Sequence, residues 1–286
     1  MMSVFDDRAC ELGEGPLWHP ERNQLFWFDI TGKRLLTRDG DTAAEYHFNE
    51  CVSAAGWVDQ NRLLIASETA LFVFNLQSGK RDHVVELEAG NPVTRSNDGR
   101  ADRWGGFWIA TMGKRAEPAA GAIYRFYQGE LRRLVDGLTI PNAISFPPEA
   151  GYVTYTDTLT RVVTRWALDP ATGWPTGEPT PWLDLNADGL NPDGAVFDVQ
   201  GNFWVAQWGA ARVAAYDTNG RFLRAVTTPG QHSSCPAFGG PDMESLFCTT
   251  ARQGLSEDDI RAVPENGMIF CQPGVGKGQR EAQVIL

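Results

Sequence analysis

At 286 residues with 42% hydrophobic side chains, ten tryptophans and thirty glycines, the chain can bury a large core of short strands joined by tight turns. A net charge of −11 sets its surface against nucleic-acid phosphates, and no apolar run approaches the ~20 residues that cross a membrane. Five cysteines, at positions 10, 51, 235, 248 and 271, include no CxxC pair, which argues against a disulfide framework or a thiolate zinc site.

The N-terminal MMSVFDDRACELGEG lacks a basic segment followed by an apolar one, so no secretory signal is expected. Reduced thiols then fit a cytoplasmic protein with no obligate protein partner evident. From there a short apolar strand recurs six times: LFWFD (25–29), LLIAS (63–67), FWIAT (107–111), YVTYT (152–156), FWVAQ (203–207) and LFCTT (246–250). Their first residues lie 38, 44, 45, 51 and 43 positions apart. Self-similarity at a period of ~40–50 residues marks a propeller or a solenoid. After each of these strands comes a second element ending in a turn, such as KRLLTRDG or ARVAAYDTNG, and then a third, such as EYHF or TPWLDL. Alternating apolar and polar residues between Gly, Asp and Asn turns are strand signals. With the element in front of each marked strand, every repeat has four strands, which predicts one all-β domain over 1–286: a six-bladed β-propeller of antiparallel blades. SVFDDRACEL is expected to close the ring by pairing in the blade that holds the C-terminal EAQVIL. SEDDIRAV (256–263), with Ser256 as cap, reads as a short helix in a connection.

Ten or eleven residues before the six strands stand Glu14, Ser53, Asn97, Asn142, Asp193 and Cys235. In a propeller the innermost strands line the central channel, so these residues converge at one end of it. Loops after the marked strands should rim the same end with Asp29, Glu68, the stretch Met112 to Arg115, Asp157, Trp208 and Arg252. Glu14, Asn142 and Asp193 thereby supply two carboxylates and a carboxamide oxygen from three blades. Oxygen-only ligands suit hard divalent cations such as calcium, magnesium or manganese, and two buried carboxylates without a cation would repel. GEGP, NPDG and SNDG are also what turns use; their equivalent places in the repeat favour a shared site. Arg95 and Asn97 offer donors to the oxygens of a substrate, against the reading of RSNDG as a hairpin turn with Arg95 paired to a structural carboxylate. Asp98 would orient Asn97 or act as an acid–base group.

Other signals are weaker. His19, His47, His83 and His232 show no metal-ligand spacing, and His19 reads as a turn residue. There is no GxSxG, and GVGKGQ (274–279) lacks the ending and the following helix of a phosphate loop. Trp27, Trp108 and Trp204 read as packing between blades, while Trp104 and Trp208 could face the site entrance.

LGEGPLW (12–18), RSNDGRAD (95–102), WIATM (108–112), IPNAISF (140–146), NPDGAVFD (191–198) and the late CPAFGG…TTAR together resemble the SMP-30/gluconolactonase family, which includes regucalcin and bacterial sugar lactonases. The resemblance runs through nearly the whole chain. It implies a six-bladed propeller with one catalytic divalent metal: calcium first, with zinc, manganese, magnesium or ferrous iron as alternatives. It implies Glu14, Asn142 and Asp193 as metal ligands, Asp193 also as general acid/base, and Arg95 and Asn97 as substrate-binding. Where the family often has a substrate-contacting Glu three residues after TM, this chain has Arg115, so the sugar preference of a relative does not carry over. The function implied is hydrolysis of a sugar aldonolactone to the aldonic acid. An organophosphate or other lactone hydrolase, and a non-catalytic calcium-binding propeller, are the alternatives.

Overall fold

The second strand of each repeat is buried along all or nearly all of its length, wholly so in Gln24–Asp29 and Phe107–Gly113. That is why it reads as an unbroken apolar run rather than an alternating one. The computed structural model describes residues 1–286 and forms six four-stranded antiparallel sheets, the blades of one propeller. Blades 1 to 5 use their strands in chain order, inner to outer. Outer strands such as Thr42–His47 and Arg81–Glu86 are largely exposed. The six inner strands, Gly13–His19, Val52–Asp59, Thr94–Ala101, Pro141–Ser145, Asn191–Phe197 and His232–Gly239, pack against one another in a ring.

Each inner strand breaks register with its neighbour at the same place: Glu14/Leu17, Val52/Ala54, Ser96/Gly99, Asn142/Ser145, Pro192/Ala195 and Ser233/Cys235. These are β-bulges, which bend a strand and re-aim a side chain. GEGP, SNDG and NPDG are therefore neither turns nor a hairpin; they are bulges inside strands. Gly15 sits there at φ +51°, and a Cβ on it would meet the Ser53 carbonyl oxygen at 2.2 Å. Only glycine meets both demands without strain.

Trp27, Trp108 and Trp204 are fully buried between blades, as expected. Trp108 and Trp204 donate their indole N–H groups to Asp102 at 3.0 Å and Asp198 at 2.9 Å. Those carboxylates also accept backbone N–H groups of the tight turns that follow, Gly106 in one and Asn202 in the other. His19 is not a turn residue. It ends the first inner strand, wholly buried, with Nε2 3.0 Å from the Asp59 carbonyl oxygen. The expected helix forms as Glu257–Ala262, with Ser256 Oγ accepting the Asp259 N–H.

Ring closure differs in part from expectation. Ser3–Asp6 does supply the outer strand of blade 6, but its partner is Ile269–Pro273. EAQVIL forms no strand. Residues 277–286 cross the rear end of the channel and join four blades. Val199 N–H donates to Lys277 O, Gln279 Nε2 to Phe146 O and Phe197 O, and Val284 N–H to Trp57 O. Glu281 pairs with Arg100, and Val284 is buried in the core between blades 2 and 3. A strand there would have needed a free edge in blade 6, and Ser3–Asp6 already holds it.

Candidate active site

The front end of the channel opens into a cavity of about 340 Å³. Glu14, Asn97, Asn142 and Asp193, four of the six equivalent bulge residues, line it together with Arg95 and Arg115. Leu12, Met112, Ile140 and Trp208 give it an apolar wall. Ser53 is buried instead against Ser96, Oγ to Oγ 2.8 Å, and Cys235 packs under Gly194. Of the residues expected at the rim, the Met112–Arg115 loop and Trp208 are there. Asp29, Asp157 and Arg252 are not: Asp29 and Asp157 cap backbone N–H groups of Leu12 and Ile140, and Arg252 donates to Asn266 O. Glu68 lies behind the rim, holding Lys114 at 2.8 Å. Trp104 packs at the outside, donating to Pro170 O.

Asn97 and Asn142 are joined. Arg95 donates to Asn97 Oδ1 at 2.8 Å, and Asn97 Nδ2 donates to Pro141 O at 3.0 Å and to Asn142 Oδ1 at 2.9 Å. Asn142 Nδ2 donates to Thr158 Oγ1 at 2.9 Å, and that hydroxyl donates to Pro192 O at 2.8 Å. Because Thr158 spends its only proton on a carbonyl, it must accept from Asn142, which fixes the Asn142 oxygen on the side of Asn97. Both N–H groups of Asn97 are committed to protein acceptors, so it orients its neighbours more than it offers donors to a ligand. Sequence reasoning missed Thr158. Its signal was faint: a Thr just beyond the YVTYT strand, next to the expected Asp157.

Glu14 and Asp193 are both nine-tenths buried or more. Burial and the charge of Asp98 push the Glu14 carboxyl up to about 8. Burial, then Glu14, then Asp98, raise Asp193 well above the usual carboxylate range. Glu14 accepts the Gly15 N–H at 3.0 Å, and no side chain donates to either carboxylate. Two such acceptors, with the Asn142 carboxamide oxygen beside them, form a hard-oxygen donor set whose positive neighbour, Arg95, makes no ion pair with either carboxylate; a divalent cation fits it. Asp98 is elsewhere. It lies rearward in the channel, beside Gly15, Cys235 and Glu281, and accepts the Ile144 N–H at 2.7 Å, with its carboxyl raised by burial to about 6. That bond holds the backbone just after Asn142, where Ala143 adopts φ +57°.

Residues 12–252 match the family pattern described as the SMP-30/Gluconolactonase/LRE-like region. The chain belongs to the SMP-30/gluconolactonase family. Among its relatives, a Rhizobium meliloti protein assigned as a sugar lactone lactonase is 39% identical over 269 residues, covering 93% of this chain and 91% of its own. The L-arabinolactonase of Azospirillum brasilense is 34% identical, with 94% and 90% covered. A solved structure from Agrobacterium tumefaciens, described as regucalcin, a calcium-binding protein, superposes with a TM-score of 0.98 at 35% identity, covering 100% and 98%. The chain thus shares the family fold over nearly the whole length of these relatives. No helix in it is long and apolar enough to cross a membrane.

Proposed function

We propose that this chain hydrolyses a sugar aldonolactone to the open aldonic acid in a divalent-metal-dependent reaction. The observation that carries the reading is the convergence of Glu14, Asn142 and Asp193 on one cavity beside Arg95. Relatives named for lactone hydrolysis across nearly the full chain support it. Glu14, Asn142 and Asp193 would hold the cation, calcium foremost. When bound, the cation polarises the lactone carbonyl and offsets the negative charge that develops on its oxygen.

The rest is done by the chain itself. Asp193 takes a proton from the attacking water and returns one to the ring oxygen as the ring C–O bond breaks. Arg95, buried at the cavity wall, donates to the oxygens of the substrate and holds them in register. Asn97 holds both Arg95 and Asn142 in place. Trp208, stacked on His232 with centroids 4.3 Å apart, gives the sugar ring a rigid wall.

Acid release in a pH-stat from five- and six-carbon aldonolactones, with and without chelator, tests this. Release well above the spontaneous rate, lost on chelation, is expected. No release despite bound calcium would leave a non-catalytic calcium-binding propeller.

A further inference from the structure

All the cations of the cavity stand on one wall. Arg95 lies on the inner strand of blade 3, opposite Met112 on the next strand, and Lys114 and Arg115 follow directly in the loop. Lys114 is neutralised by Glu68. Arg95 and Arg115 have no carboxylate oxygen within 4.0 Å. Arg95 is only 5% exposed, and it donates from one nitrogen alone, to Ser96 O and Asn97 Oδ1. Its remaining N–H groups have no protein acceptor. The exposed Arg115 is held by its backbone, whose N–H donates to Glu117 Oε2 at 3.0 Å, while its guanidinium makes no bond.

A buried guanidinium without a counter-charge is costly unless a ligand supplies one. Glu14 and Asp193 would not, once balanced by the cation they are proposed to hold. With that cation bound, the side chains lining the cavity carry two positive charges in excess, those of Arg95 and Arg115, inside a chain whose net charge is −11; Glu117, outside the lining, meets Arg115 only at its backbone N–H. Hydroxyl groups of a neutral sugar would satisfy the donors of Arg95 and leave both charges uncompensated. An anionic group meets both needs, since carboxylate and phosphate oxygens match the guanidinium fork.

Resting on the lactonase reading, we infer that the substrate is an acidic sugar lactone, its carboxylate or phosphate held against the blade 3 wall by Arg115 above Arg95. Arg115 is then the residue that sets this preference.

The test compares glucono-1,5-lactone, its 6-phosphate and glucaro-1,4-lactone as substrates of the metal-loaded protein. Binding of 6-phosphogluconate and gluconate to the calcium-loaded protein, followed by calorimetry, gives a second readout. The acidic lactones should exceed the neutral one in kcat/KM by about tenfold or more, and 6-phosphogluconate should bind correspondingly tighter than gluconate. Arg115→Ala should collapse both ratios, Arg115→Glu should invert them, and raising ionic strength should shrink them. Equal or better turnover of the neutral lactone, with equal binding of the two acids, overturns the acidic-substrate inference and leaves the lactonase reading standing. Silence toward all three lactones removes the lactonase reading and this inference with it.

Discussion

Asn97 reaches across from blade 3 to blade 4 and donates to Asn142 Oδ1 at 2.9 Å, so the amide that faces the cavity is held by a second amide behind it. Replacing Asn97 by Ala leaves Pro141 O and Asn142 Oδ1 without their donor. The loss should be about 1–3 kcal/mol of stability, read by urea unfolding. Thr158→Val probes the other side of the same amide. It should lower calcium affinity about 10- to 100-fold, as loss of a group that orients a ligand does, while leaving the circular dichroism unchanged. Unaltered affinity would show that Asn142 does not need the Thr158 hydroxyl.

Asp193→Asn keeps the shape of the side chain and removes its ability to take a proton. It also removes one of two mutually repelling buried carboxylates. The metal-free variant should melt no lower than the parent. Its kcat should fall by about a hundredfold or more, measured as acid release. Undiminished kcat would refute the assignment.

The buried Glu14 carboxyl makes the metal-free fold pH-sensitive in a defined direction. Its affinity for a proton is raised from 4.5 in the ordinary side chain to about 8 in the fold. Its contribution to stability is therefore complete below pH 4.5 and is lost as pH rises toward 8, because the unfolded chain ionises first. Thermal melts in chelator should show this falling slope for the parent and a shallower one for Glu14→Gln, in which the raised carboxyls of Asp193 and Asp98 still contribute. Added calcium, which needs the ionised carboxylates, should offset the loss. A parent and a variant with the same slope would contradict this.

Val284 sits in the core beneath Gly56, where a Cβ added to the glycine would come within 2.4 Å of it. Val284→Asp buries a charge with no partner and should destabilise the chain by about 3 kcal/mol or more. Glu281→Gln, by contrast, keeps the backbone staple and weakens only the pairing with Arg100. Chemical denaturation of both variants separates the tail's backbone role from its charge.

The blades were legible because each repeat carries a second strand buried but for its ends, and such a strand announces itself in composition. The convergence of Glu14, Asn142 and Asp193 on one cavity was legible because they occupy equivalent places in different repeats. Bulges were harder to see. Gly, Asp, Asn and Pro serve a turn and a bulge equally well, and only the pairing of Leu17 with Phe26 and of Ala195 with Val205 shows the strand continuing past them. The tail was misread because AQVIL has a strand's composition, while its partners, Trp57 O and Gly105 O, lie on distant blades. The inward role of Asn97 and the part played by Thr158 depend on which way an amide points, and no residue pattern encodes that.

The central claim is one cation held by Glu14, Asn142 and Asp193, and calorimetric titration of calcium into the metal-stripped chain tests it most directly. One equivalent bound per chain, with binding much weakened in Glu14→Gln and in Asp193→Asn, is the expected result. Binding of the same strength and stoichiometry in those variants would contradict it.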